Sequence, residues 1–223
     1  MDNTLIKELK AEARSDAITN FFHRRKKIFY RISVAAIFFL LCFFVFSIIR
    51  NNLEEKYSKI LHQSLISEEL GEFEKAKENL AQIYNATFAP SGPKSLASMR
   101  YAGLLLVEGK KDEALKIYQE IAFSSSYDDF IQELSGILAA KILVNQINKT
   151  SDQELQNKTL AELNKIVKNN KILRPYTLEQ LAIFYIKTQK NIEARKALEE
   201  IIKTPNIAQS LAIRASDLIK LIS

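Results

Sequence analysis

Residues 109–121 read GKKDEALKIYQEI, and the spacing of their apolar side chains decides how the fold is interpreted. Gly109 marks a turn, and Ala114, Tyr118 and Ile121 follow it, the last two at steps of four and three residues. Steps of this size place side chains on one side of an α-helix. The stretch therefore predicts a turn followed by a helix that buries one face.

The same pattern recurs along the chain. Three copies share an alanine, a large apolar residue four positions later and an isoleucine three positions further on: Ala76-Leu80-Ile83, Ala114-Tyr118-Ile121 and Ala194-Leu198-Ile201. A degenerate fourth copy reads Thr159, Leu163 and Ile166, so the copies begin 38, 45 and 35 residues apart. These intervals are close to the period of about 34 residues that is typical of tetratricopeptide repeats.

The segment before each copy supports this interpretation. In the second and last copies, a large and a small residue precede the alanine at the distance expected in a tetratricopeptide hairpin: Tyr101-Ala102 and Leu181-Ala182. The third copy has Leu138-Ala139 in this place, and the first copy departs from the pattern with Gln63-Ser64. Small residues allow close helix contacts, so we expect the repeat packing to be formed by Ala76, Leu80, Ala114, Tyr118, Ala194 and Leu198.

Together these patterns predict an all-α chain. Breakers such as Pro90, Gly109 and Pro175 are sparse and fall between periodic segments, and residues 51–203 show no sustained strand alternation. We expect about four helical hairpins stacked as a tetratricopeptide-repeat-like α-solenoid, with residues 206–222 as a C-terminal capping helix. The alternative is an ordinary helix bundle in which the alanines recur by chance.

One segment has a different character. Residues 32–49 read ISVAAIFFLLCFFVFSII, eighteen consecutive residues without a charge. Such a helix is ~27 Å long, close to the ~30 Å hydrocarbon core of a bilayer, which predicts a transmembrane anchor over residues 28–50. A core helix of a soluble domain and a cleaved signal peptide are the alternatives. The run exceeds the usual apolar region of a signal peptide and has no small-x-small cleavage pair.

The charges that flank this run predict its direction. Five lysine and arginine residues lie just before it, and only Arg50 follows it directly; the five are Arg24, Arg25, Lys26, Lys27 and Arg31. Because positive charge stays on the cytoplasmic side, we expect residues 1–27 inside the cell and residues 51–223 outside.

Residues 1–27 carry a helical pattern of their own. Apolar residues recur at steps of three and four, namely Ile6, Leu9, Ala13, Ala17 and Phe21. This amphipathic pattern fits a helix that lies on the inner membrane face. The second interpretation is a docking element for another protein or for a protease.

Composition excludes several classes of function. The net charge of +6 is concentrated before residue 50, so the outer segment shows mixed charge and no basic stripe for nucleic acid. Its lack of cysteine excludes a thiolate metal site and a thiol nucleophile, since Cys42 lies in the apolar run. The single histidine there, His62, has no motif partner. We therefore expect no enzyme, no cofactor, no metal site and no catalytic residue.

The order of these segments resembles the bacterial family of ancillary SecYEG translocon subunits. The resemblance covers the layout of nearly the whole chain and is most specific at residues 109–121, at the helix of Tyr101-Ala102, and at the approach to the anchor. It implies an inner-membrane protein whose repeat domain lies in the periplasm, near the translocon and periplasmic chaperones. The turns differ between copies, the third copy is stretched, and the last lacks its turn glycine.

Binding of proteins is the function that these features favour. A stack of hairpins offers a groove for peptides, and we expect its lining to come from Arg100, Tyr101, Leu104, Tyr118, Tyr127, Phe184 and Tyr185. Tyr127 is expected in a loop, whereas Tyr101 and Tyr185 stand at positions that also suit packing. Two hypotheses follow: a scaffold that handles exported proteins beside the translocon, and an envelope adaptor that joins the membrane to a division or wall-assembly complex.

Overall fold

A computed structural model describes residues 3–148 and 153–222, with side chains from Tyr30 onward. The prediction of an all-α chain is confirmed, since the described residues form helices and no strand. Their bounds are α1 Asn3–Glu69, α2 Phe73–Tyr84, α3 Ser91–Val107, α4 Lys111–Phe123, α5 Asp129–Gln146, α6 Gln153–Asn169, α7 Arg174–Lys187, α8 Asn191–Lys203 and α9 Gln209–Leu221.

The chain divides into two compact units, with the boundary between Asn52 and Leu53. The first unit contains the apolar part of α1. Its most apolar window has a mean hydropathy of 2.9, and none of that window is buried. By length and composition this helix is able to span a membrane.

The second unit is a series of helical hairpins. The last part of α1 (residues 53–69), α3, α5 and α7 are the first helices of the four hairpins, and α2, α4, α6 and α8 are the second helices. Helices from α2 to α9 contact their neighbours in chain order, and α5 also contacts α7. Tyr57, Ile60 and Leu61 of α1 pack against Leu80 and Ile83 of α2. This arrangement of hairpins is that of an α-solenoid.

The repeated residues lie in the interior of this unit. The alanines and their large apolar partners are all buried, at 3% exposure or less: Ala76, Leu80, Ala114, Tyr118, Ala194 and Leu198. The degenerate copy follows the same register, because Thr159 and Leu163 are 2% and 0% exposed. The long interval before Thr159 has two sources: the α5–α6 connection is longer than the α3–α4 connection, and α6 begins six residues before Thr159, whereas α4 begins three residues before Ala114.

The first copy fits the repeat better than its sequence indicates. Ser64 is fully buried and stands twelve residues before Ala76, as Ala102 stands before Ala114. Its hydroxyl donates to the carbonyl of Ile60 at 2.8 Å, which satisfies the polar group inside the core. A serine with this bond occupies the place of the small residue.

The turns between paired helices share one geometry despite different residues. Gly71 and Gly109 have φ angles of 76° and 81°, and Gln189 takes the equivalent place with a φ of 61°. Beside Gln189, the N–H of Lys190 donates to the carbonyl of Tyr185 at 2.8 Å, which is the outer bond of a Schellman motif. The last repeat therefore keeps the turn without the glycine.

Replacing Gln189 with glycine should stabilise the last hairpin by about 1 kcal/mol, because glycine removes the steric cost of a left-handed side chain. Chemical denaturation of the full chain in mild detergent measures this change. Thr188→Gly, at the neighbouring position with a φ of −93°, is the matched control and should destabilise. Equal effects of the two substitutions would contradict the assigned turn.

Gly136 on α5 lies at a close helix contact. A Cβ atom at this position would stand 2.9 Å from Cγ2 of Ile166 and 3.1 Å from Oδ1 of Asn170. Both neighbours are buried, at 0% and 2% exposure. Gly103 on α3 is different, because the nearest atom to its Cβ position is the Tyr118 hydroxyl at an ordinary 3.7 Å.

Gly136→Ala should therefore lower the free energy of unfolding by about 1–2 kcal/mol, since the overpacking exceeds the gain in helix propensity. Gly103→Ala is the control and should raise it by about 0.5–1 kcal/mol through propensity alone. Urea titrations followed by circular dichroism compare both variants. A stabilising effect at both positions would show that α5 and α6 are farther apart than described.

The last helix covers the end of the stack. Leu211 and Ala215 of α9 are fully buried against the core. Arg214 ties α9 to α7, since its Nε and Nη2 atoms donate to the two carboxylate oxygens of Glu179 at 2.6 and 3.0 Å. The predicted capping helix is thus present, over a shorter range than residues 206–222.

Candidate protein-binding surface

The first helices of the hairpins run parallel to one another. The Glu54 carboxylate lies 3.5 Å from the Cβ position of Gly92, so the starting ends of residues 53–69 and of α3 are adjacent. Further along the same two helices, Arg100 Nη1 donates to Glu68 Oε2 at 2.7 Å. The starting ends of α3 and α5 also meet, since Gly92 and Ile131 line one hollow.

The pair α5 and α7 shows the same direction at both ends. Leu173, which precedes α7, donates its N–H to Glu133 Oε2 near the start of α5 at 2.6 Å. At the other end, Lys187 Nζ donates to the carbonyl of Val144 at 2.8 Å. The first helices thus place their starting ends together and form one face, which we call the first-helix face.

The predicted binding residues fall into two groups, of which the first retains exposed surface. Arg100 is exposed and paired with Glu68. Tyr101 and Leu104 are partly buried against the cluster of Leu80, Ile83 and Ala97. The Tyr101 ring also lies 5.7 Å from the ring of Tyr84, and the partly buried Tyr185 ring lies 5.8 Å from the ring of Phe184. These contacts hold the aromatic residues within the repeat packing.

The second group is buried. Tyr118, Tyr127 and Phe184 are 3%, 7% and 0% exposed, so these side chains pack in the core and offer no surface to a partner. Burial raises the pKa of the Tyr118 hydroxyl, which donates to the carbonyl of Met99 at 3.3 Å. Tyr127 does lie in a loop, as expected, but the expectation that it is available for contact is corrected. Its loop folds inward, and Gln132 Nε2 donates to the Tyr127 carbonyl at 2.6 Å.

Solvent-accessible space on the first-helix face is found elsewhere. A hollow of about 320 Å³ lies between the first turns of α3 and α5, and we call it the α3–α5 hollow; it is lined by Ser91, Gly92, Ser95, Leu96, Asp128 and Ile131. Leu96 is 42% exposed and Ile131 is partly buried, so apolar side chains form much of its wall. Sequence reasoning missed both residues. The sequence signal for this surface was a leucine that stands among small residues on its helix.

A second depression lies between two second helices. It has a volume of about 460 Å³, and we call it the α4–α6 groove; it is lined by Asp112, Leu115, Gln119, Leu143, Gln146, Leu155, Lys158, Thr159 and Glu162. Gln119 donates to Glu162 at 3.3 Å and Gln146 donates to Asp112 at 2.9 Å. These hydrogen bonds join polar side chains on neighbouring helices along its wall.

A buried polar network joins the third and fourth hairpins. Glu133 is 5% exposed and accepts the N–H groups of Ile172 and Leu173 at 3.3 and 2.6 Å. Asn170 Nδ2 donates to the Glu133 carbonyl at 3.0 Å and to Thr177 Oγ1 at 2.8 Å. Since α7 has no side-chain cap of its own, Glu133 supplies the missing acceptor at its start. This network stabilises the contact between the two hairpins.

Neither depression is a metal site within the part of the chain that the structure describes. Among the side chains from Tyr30 to Asn148 and from Gln153 to Ile222, no group of three His, Cys, Asp or Glu is placed to hold a metal ion. His62 is exposed on α1. Of the residues expected to orient the anchor, Arg31 is exposed, whereas Arg24, Arg25, Lys26 and Lys27 lie outside the described side chains.

Comparisons of this chain with protein-family profiles, with curated proteins and with solved structures found no match.

Proposed function

We propose that this chain is a non-enzymatic, membrane-anchored scaffold whose helical repeats bind other proteins. The observation that carries the proposal is the combination of two units in one chain. An exposed apolar helix of membrane-spanning length precedes a stack of hairpins whose parallel first helices form one face with an apolar hollow. Repeat stacks of this kind act as extended binding surfaces.

The proposed location is the bacterial inner membrane, with the amino terminus in the cytoplasm and the repeats in the periplasm. The charge difference across the apolar run supports this direction. The proposed partners are translocon subunits, periplasmic chaperones or exported proteins. Their support is the resemblance in segment order to ancillary translocon subunits.

Reversing the basic cluster tests the direction. Replacing Arg24, Arg25, Lys26 and Lys27 with glutamate should move a large share of the chains to the opposite orientation. In a Cys42→Ser background, a single cysteine at the exposed Ser58 should react with a membrane-impermeant maleimide in intact spheroplasts and lose that reactivity after charge reversal. Lys7→Glu/Lys10→Glu is the control, because these lysines lie farther from the run. Unchanged labelling of the reversed chain would contradict the assignment.

In-cell photo-crosslinking tests the binding function. A photoreactive residue at Arg100 or Gln180 samples the first-helix face, and the same residue at Glu78 or Lys196 samples the second helices. We expect adducts with translocon subunits, chaperones or exported proteins from the first-helix positions. Adducts with division or wall-assembly proteins in their place would overturn the translocon assignment in favour of an envelope adaptor. An absence of protein adducts at all four positions would overturn the scaffold itself.

A further inference from the structure

We propose that the α3–α5 hollow binds an extended polypeptide segment in which a large apolar side chain stands beside lysine or arginine. This inference rests on the proposed protein-binding function and adds the chemical class of the bound segment.

The size and wall of the hollow select the apolar side chain. Its volume of about 320 Å³ lies at the lower end of the range of about 300–1,000 Å³ that is typical of ligand sites. This space accommodates one large side chain and its flanking backbone. Leu96 and Ile131 supply apolar contacts from α3 and α5, and the aromatic ring of Phe130 is 51% exposed next to Ile131.

Carboxylates on two sides of the hollow favour a positively charged residue in the bound segment. Asp128 lines the hollow on the α5 side, and Glu54 lies beside Gly92 on the other side. Both residues are exposed, and among the described side chains neither forms an ion pair with lysine or arginine. The lysine in the first turn of α3 has another partner, since Lys94 Nζ donates to the carbonyl of Ala86 at 3.0 Å. A lysine or arginine beside the apolar residue of the bound segment can therefore pair with a carboxylate on either side of the hollow.

Gly92 lines the hollow and offers a position from which to block it. Only the Glu54 carboxylate lies near its Cβ position, and its φ angle is outside the left-handed region that favours glycine. A larger residue is therefore expected to fit at this position without backbone strain and to occupy part of the space that Gly92 lines. Gly92→Leu blocks the site in a chain that is expected to fold.

The probe is a short glycine-serine peptide with one benzoyl-phenylalanine between two lysines, offered to the full chain in lipid nanodiscs. We expect photo-adducts on the first turns of α3 and α5. Glu54→Gln/Asp128→Asn should weaken binding about fivefold at low salt, since each exposed charge contact contributes modestly. Asparagine preserves the cap that Asp128 provides to the N–H of Phe130. Raising the salt concentration should reduce the difference.

Matched variants and peptides separate the alternatives. Glu78→Gln/Glu113→Gln removes two exposed carboxylates from second helices and should leave binding unchanged. Gly92→Leu should abolish the adducts. The proposal is overturned if adducts map elsewhere, or if a peptide with glutamates in place of lysines binds equally well. If the peptide result is negative but photoreactive residues at Arg100 or Gln180 still give protein adducts in cells, the scaffold function is retained. If those adducts are absent as well, both the scaffold function and the peptide preference of the hollow are overturned.

Discussion

Replacing Ala114 with leucine should lower the free energy of unfolding of the repeat unit by about 3 kcal/mol, at the upper end of the cost of overpacking. Ala114 is fully buried at the contact between α3 and α4, and the equivalent alanines of other repeats are equally buried. Additional methyl groups have no space there, so the two helices of the hairpin are forced apart. The loss should spread to the neighbouring repeats, because each repeat is stabilised by the interfaces on either side.

Urea titration of the full chain in mild detergent, followed by circular dichroism, measures this loss. Ala161→Leu is the matched control, since Ala161 is exposed on α6 and the same side chain there meets solvent. Hydrogen exchange on α3 and α4 locates the effect. If the midpoint of Ala114→Leu coincided with that of the unsubstituted chain, the repeat register would be wrong.

Replacing Glu133 with alanine should cost about 2 kcal/mol or more and should act locally. The carboxylate accepts two N–H groups at the start of α7, and both lose a buried acceptor when it is removed. The first turn of α7 is then uncapped, as is the segment from Asn170 that leads into it. We expect faster hydrogen exchange at Leu173 and in α7, with little change in α2 and α3.

Two further substitutions are the controls for this prediction. Glu133→Gln retains one acceptor oxygen at the same distance and should lose a smaller part of the stability than alanine does. Glu78→Ala removes an exposed carboxylate on α2 and should be nearly neutral. Uniform protection of α7 in the alanine variant would show that another group caps this helix.

Much of the fold follows from short-range patterns. The helical period and the spacing of Ala76, Ala114 and Ala194 predict which faces are buried, because side chains three and four residues apart share one side of a helix. The apolar run predicts a membrane-spanning helix in the same way. Even the copy that begins at Thr159 keeps its register, with Ile166 fully buried.

Predictions about surface were less successful than predictions about packing. Tyr127 follows three serines and was expected in an exposed loop, yet it is 7% exposed. Tyr127 belongs to the main core cluster, and a hollow beside it is also lined by Thr87 and Ala89 from the loop between α2 and α3. Whether an aromatic side chain in a loop is buried depends on such neighbours from other parts of the chain, and no local sequence pattern shows them. Ser64 also departs from the repeat pattern in the sequence. Its hydroxyl reaches the carbonyl of Ile60 only once the helix has formed, and this bond allows the serine to be buried in the place of a small apolar residue.

Local sequence patterns are enough to give the helical period, the repeat register and an apolar run of membrane-spanning length, because each depends on residues within a few turns of one helix. The tertiary structure decided which side chains remain accessible. Glu133 caps a helix that begins forty-one residues later, and Gly92 and Ile131 meet at one hollow from different hairpins. These contacts arise from the stacking of parallel first helices, and their geometry depends on how closely each pair of helices packs.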